Sequence, residues 1–164
     1  MRDVLEAVAA GELSPAEAEN RLAGYVTTGA GRFDAARQRR RGVPEAILAA
    51  GKTPSETAAL ATAALDATGV ALLTRVSDDD VAAVTEATET SVELSHDERA
   101  RTLVAHTAAY EAPTLDATVA IVTGGTADAA VAGEAATVLD VMGASVERVE
   151  DVGVAHLGRV LDHL

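Results

Sequence analysis

The stretch VAIVTGGTADAAVAGEA, residues 119–135, decides how this chain is built. A short apolar run reaches Gly124-Gly125, and an Ala-rich segment with helical character follows from Thr126 and Asp128. That order predicts a strand over 118–122, a loop over 123–126 and a helix over 127–142. After a turn at Gly143, a further strand is predicted over 145–149, which makes the unit strand–helix–strand with a parallel sheet. In that helix Val131, Ala135, Val138, Leu139 and Met142 share one stripe at helical spacing and are expected to pack into the core.

Parallel sheets bind ligands beyond the carboxyl ends of their strands, where glycines allow a close backbone approach. Gly124 and Gly125 stand there, Thr126 adds a hydroxyl, and Asp128 is placed to hold a sugar hydroxyl or a water. The helix start adds N–H groups for a phosphate or carboxylate. The next strand ends in VEDVGVAH, which brings Asp151 and Gly153 to the same sheet edge. Taken alone, GGTAD falls short of a dinucleotide fingerprint and also fits a plain turn. Two strand ends, each with a carboxylate and a glycine, make a site the better reading.

Upstream, a helix over 3–10 stops at Gly11, and SPAE at Ser14 reads as a capping box with Glu17 reaching back. These two helices form a hairpin ending near Gly24, and TTGAG (27–31) reads as a linker. GVPEAILAAGK supplies a buried strand, TPSE at Thr53 opens a helix to about Ala67, and TGVALLTR (68–75) is a second strand. Ser77 before three aspartates starts another helix, to about Glu89, and a weaker strand falls near 101–105. PTLDA (113–117) is the expected boundary. The fold class is therefore α/β: a helical hairpin plus a small α/β lobe over 1–115, then the start of a parallel, Rossmann-like sheet over 116–164 that looks truncated.

Composition narrows the function. Apolar residues make up 48%, enough for a core built from Ala, Val and Leu with almost no aromatics. No window resembles a spanning helix and the start lacks a signal-peptide core, so a cytoplasmic protein without membrane contact is expected. The chain has no cysteine, and its four histidines (His96, His106, His156, His163) show no zinc spacing, so no metal site is expected. A net charge of −13 excludes nucleic acid as a bulk partner. Twelve of the thirteen basic residues are Arg. This acidic, Lys-poor balance fits a high-salt cytoplasm, and a GC-rich genome accounts for the same bias. Charge is uneven: residues 32–52 carry +4 and the remainder −17. A positive island in an acidic protein points to a specific anion.

The residues GGTADAAVAGEAATVLDVMGASVERVEDVGVAHLGRVL resemble the aminoimidazole ribonucleotide carboxylase (PurE-like) superfamily, with its Gly-(Ser/Thr)-x-Asp loop. The LarB-type branch is the nearer match. Its GT-S-D loop corresponds to Gly125-Thr126-Ala127-Asp128, its Glu-Ala pair to Glu134-Ala135, and its D-V-G-V-A segment to Asp151 onward. FDAARQRRRGVPEAILAAGKTPSE resembles the branch's upstream block at Phe33, Asp34, Arg37, Arg40, Gly42, Pro44, Glu45, Gly51, Lys52, Thr53 and Pro54. LLTRVS (72–77) and AAGELSPAEAENRL also fit. Ala127 replaces the usual Ser, and HLGR (156–159) departs from the branch's G-L-H-R order.

The resemblance implies carboxylation of the pyridinium ring of nicotinic acid adenine dinucleotide by CO2 or bicarbonate, with hydrolysis of the phosphoanhydride to release AMP. This step belongs to nickel-pincer cofactor biosynthesis. It implies Asp151 as the acid–base, Gly124, Gly125, Thr126, Asp128 and Gly153 around the substrate, and Arg37, Arg40 and Lys52 toward its phosphates or carboxylate. No cofactor is implied beyond, at most, Mg2+, and a homo-oligomer is expected. The family continues with a Met-Glu-Gly-Ala-type loop and a nucleophilic cysteine. Neither is in these 164 residues, so a longer gene product is expected and turnover by this chain alone is not. Two alternatives stay open: a non-catalytic nucleotide-binding module, and the purine carboxylase, whose loop normally lies near the start.

Overall fold

Three helices begin where a short polar side chain precedes a carboxylate by three residues. Ser14, Thr53 and Ser77 each accept from the backbone N–H three residues on, while Glu17, Glu56 and Asp80 reach back to the cap's own N–H at 2.8 Å. The computed structural model describes residues 2–153 together with Gly158 and Leu161. His156 and Arg159 of the HLGR segment lie outside the described residues.

The caps start α2 (Pro15–Ala23), α4 (Pro54–Thr68) and α5 (Asp78–Ala87), after a first helix α1 (Arg2–Ala9). Residues 27–31 are not a linker. They lie in an antiparallel hairpin of β1 (Tyr25–Thr28) and β2 (Gly31–Asp34). The Thr28 hydroxyl closes the turn, accepting from Ala30 N–H and donating to the Gly31 carbonyl, both at 3.1 Å. The Arg-rich segment is a short helix, α3 (Arg37–Arg41), ended by Gly42 in the left-handed region.

A four-stranded mixed sheet follows, in the order β3-β4-β6-β5. Its members are β3 (Ala46–Leu48), β4 (Val70–Thr74), β5 (Glu93–Asp97) and β6 (Thr102–His106), with only β3 and β4 parallel. Alternation along β4 and β6 separates two cores. Ala71, Leu73, Leu103 and Ala105 face α4 and α5 in the larger one. Val70, Leu72 and Val104 face the other way, against Tyr110, Val138 and Val141.

That second face is covered by α6 (Ala129–Val141), which also packs on the two-stranded parallel sheet of β7 (Thr118–Val122) and β8 (Ser145–Val149). One helix thus serves both sheets. The boundary at 113–117 marks a change of sheet, with α6 closing the core on both sides. It packs through Ala132, Gly133, Ala136 and Val141, joined from the expected stripe by Val138. Val131 is 70% exposed and Ala135 also faces out, because small residues let α6 approach the sheet more closely than Val131 could. Among the described residues, no helix is long and apolar enough to cross a membrane.

Candidate functional site

β7 and β8 are parallel, so both carboxyl ends open on one edge. Thr123, buried just beyond β7, joins the two ends. Its N–H donates to Val149 O and its carbonyl accepts from Val152 N–H, each at 3.0 Å. Its hydroxyl accepts from Asp151 N–H at 3.2 Å. Satisfying all three groups of a buried threonine leaves little freedom in how the loops meet.

The glycines are needed here for space. A Cβ on Gly153 would lie 2.3 Å from the Gly124 carbonyl oxygen, so the two loop backbones touch where a side chain would intrude. Asp151 takes a left-handed φ of 59°, uncommon outside glycine, which turns the chain sharply after β8. Next comes a 3-10 turn, Thr126–Asp128, leading into α6. Asp128 Oδ2 accepts from the N–H groups of Gly124 at 3.0 Å and Gly125 at 3.1 Å. A carboxylate oxygen therefore occupies the place where the loop can hold an anionic oxygen. Thr126 and Asp128 are exposed, so the loop is open to solvent.

Gly124, Gly125, Thr126, Asp128, Asp151 and Gly153 are thus together at one edge. The basic island is divided. β3 and β4 run in parallel, and Lys52 follows the carboxyl end of β3, its Nζ donating to Leu48 O at 2.7 Å. Arg37 pairs with Glu45 at 3.2 Å, at the amino end of β3. Arg40 pairs with Asp34 and lies over the Tyr25 ring, 5.8 Å from its centroid. Within one chain these two arginines belong to the opposite edge of the sheet from Lys52.

Of three further arginines at strand ends, Arg99 touches the loop. Arg99, in the β5–β6 turn, donates Nη2 to Thr126 O at 3.0 Å. Arg75, just after β4, pairs with Glu134 of α6 at 3.6 Å. Arg101 holds the backbone of Arg75 and Val76 through bonds of 3.1 and 3.0 Å. Arg75 falls within LLTRVS, which fits the family without giving it a role, and nothing in the sequence around Arg99 and Arg101 pointed to the loop. Beneath them lies Asp80. Burial raises its pKa, but hydrogen bonds from the Ser77 hydroxyl and N–H, with Thr57 and the Arg101 charge, outweigh burial and hold the carboxyl below its usual range.

A separate groove of about 1080 Å³ between the N-terminal hairpins and α4 is lined by residues including Leu13, Glu17, Tyr25, Arg39 and Asp66. Its charged lining is two carboxylates, Glu17 and Asp66, against one guanidinium, Arg39, a balance that does not favour an anion.

A family model described as the LarB/PurE-like N-terminal domain matches residues 25–107, half of the chain, from β1 through β6. An uncharacterized protein of Methanocaldococcus jannaschii is 30% identical over 169 residues, covering all of this chain and 66% of its own length. This chain therefore spans just under two thirds of that relative. The family match ends before β7 and the relative's similarity carries on through the glycine loop. The chain belongs to the LarB/PurE-like family.

Proposed function

We propose that this chain contributes the dinucleotide site of an enzyme that carboxylates the pyridinium ring of nicotinic acid adenine dinucleotide and hydrolyses its phosphoanhydride, releasing AMP. The observation that carries this reading is the joining of the β7 and β8 ends by Thr123, with Gly124 against Gly153. It leaves the Asp128 loop and Asp151 at one open edge.

In this reading the Gly124 and Gly125 N–H groups take a phosphate or carboxylate oxygen as Asp128 turns away to a sugar hydroxyl. Thr126 adds its hydroxyl. A thiolate from the longer gene product adds to the ring, since this chain has no cysteine. The opposite ring carbon then attacks CO2, which divides a hard substitution into two easier steps. Asp151 takes the ring proton as the thiolate leaves and aromaticity returns. Lys52, beyond the carboxyl end of β3, offers charge to the phosphates. Arg37 and Arg40 do so across a subunit contact in a homo-oligomer, because they stand at the other edge of their own chain.

The test supplies the dinucleotide and bicarbonate to the full-length gene product and measures AMP and the doubly carboxylated mononucleotide. Both products should form with wild type, and Asp151→Asn should lose the carboxylated one. Binding and turnover of aminoimidazole ribonucleotide instead would overturn the reading.

A further inference from the structure

Three of the contacts that cross from the N-terminal lobe to the second unit lie at and just behind the glycine loop. Arg99 holds the Thr126 carbonyl at 3.0 Å. That same carbonyl accepts from Ala129 N–H, at the first residue of α6, so Arg99 grips the hinge between loop and helix. Beside it, Ala100 meets Gly133 so closely that a Cβ on Gly133 would lie 2.6 Å from the Ala100 Cβ. Arg75 reaches Glu134, one residue further along. Arg75 and Arg101 both take left-handed backbone, with φ of 56° and 55°. Such conformations persist in side-chain-bearing residues where the surroundings hold them, and they cluster where a side chain must be aimed.

We propose that Arg99 is a positioning residue for the Gly124–Asp128 loop. By fixing the Thr126 carbonyl it sets the directions of the Gly124 and Gly125 N–H groups, which makes the N-terminal lobe a working part of the ligand site. The nature of the ligand rests on the function proposed above, whereas the loop's geometry does not. Arg99 is exposed, and its guanidinium keeps further N–H groups beyond the one given to Thr126. A neutral or shorter side chain cannot hold the carbonyl in the same way.

The experiment uses amide NMR and titration with nicotinic acid adenine dinucleotide, comparing wild type, Arg99→Gln, Arg99→Lys and Thr137→Val. The last removes the 3.0 Å hydroxyl contact with Thr102 in the same interface without touching the loop. Arg99→Gln should shift the Gly124, Gly125 and Thr126 resonances before any ligand is added and weaken dinucleotide binding about five- to tenfold. Arg99→Lys should fall between it and wild type, and it supplies the same comparison if the glutamine variant is too unstable. Thr137→Val should lower the melting temperature and leave the loop resonances and the affinity unchanged. Wild-type loop resonances in both Arg99 variants would overturn the proposal. If wild type binds no dinucleotide, the substrate reading fails, and the ligand-free resonances still decide the role of Arg99.

Discussion

Replacing Gly153 by alanine tests the meeting of the two strand ends directly. The new Cβ would lie 2.3 Å from the Gly124 oxygen, 3.1 Å from its carbonyl carbon and 3.4 Å from its Cα. Real Cβ atoms stay beyond 3.0 Å, so the loops must part by roughly 0.7 Å, the difference from 2.3. These three nearest atoms are all backbone, so no side chain can swing away to relieve the contact. Overpacking of this kind costs about 1–3 kcal/mol. At about 2–4 °C per kcal/mol for a chain of this size, the melting temperature should fall by roughly 2–12 °C. The displacement also moves Gly124, whose N–H holds Asp128. Amide exchange at Gly124 and Gly125 should therefore speed up more than exchange in β4. Gly125→Ala is the matched control: Gly125 has an extended φ of −165° and nothing within 4 Å of the added methyl. It should change stability by no more than about 0.5 kcal/mol. Equal stability and exchange in the two variants would refute the close approach.

Two further outcomes follow from charge. Asp80→Asn weakens the bonds to Ser77 N–H and Oγ at 2.8 and 2.6 Å and should cost about 1–2 kcal/mol at neutral pH. Because the folded pKa lies below the unfolded one, that contribution is whole above the ordinary value of 3.8 and is lost as the pH falls through the lower folded value. Melting curves from about pH 7 to about pH 2 should therefore converge for wild type and variant, and a constant gap would contradict the assignment. If the −13 charge is a salt adaptation, melting temperature should rise markedly from dilute buffer to molar KCl. A flat profile would leave genome composition as the source of the bias.

Much of this architecture was readable from residues with strong local chemistry. The capping boxes at Ser14 and Thr53 placed two helices, and the glycines and apolar runs after PTLDA placed β7 and β8 with their carboxyl ends together. The gaps have physical causes. Thr27 to Gly31 read as a linker because nothing in Thr-Thr-Gly-Ala-Gly alternates, and its turn depends on one threonine hydroxyl. β5 passed unnoticed because Glu93–Asp97 is an edge strand exposed along its whole length, leaving no inside–outside pattern to detect. The α6 stripe misled because periodicity marks apolar residues, whereas close helix–sheet packing selected the small ones, Ala132, Gly133 and Ala136. For the site, the loop and Asp151 were legible as strand ends. Arg99, which holds the loop, was not, since it comes from the β5–β6 turn and is brought near only by the fold.

The central claim is that the edge formed by the β7 and β8 ends is where an anionic dinucleotide binds. Its most direct measurement is amide chemical-shift mapping of this chain titrated with nicotinic acid adenine dinucleotide. The account predicts the largest changes at Gly124, Gly125, Thr126, Asp128, Asp151 and Gly153, with smaller ones at Arg99 and Lys52. Changes centred on Tyr25, Arg39 and Asp66 in the groove beside α4, with the glycine loop unmoved, would contradict it.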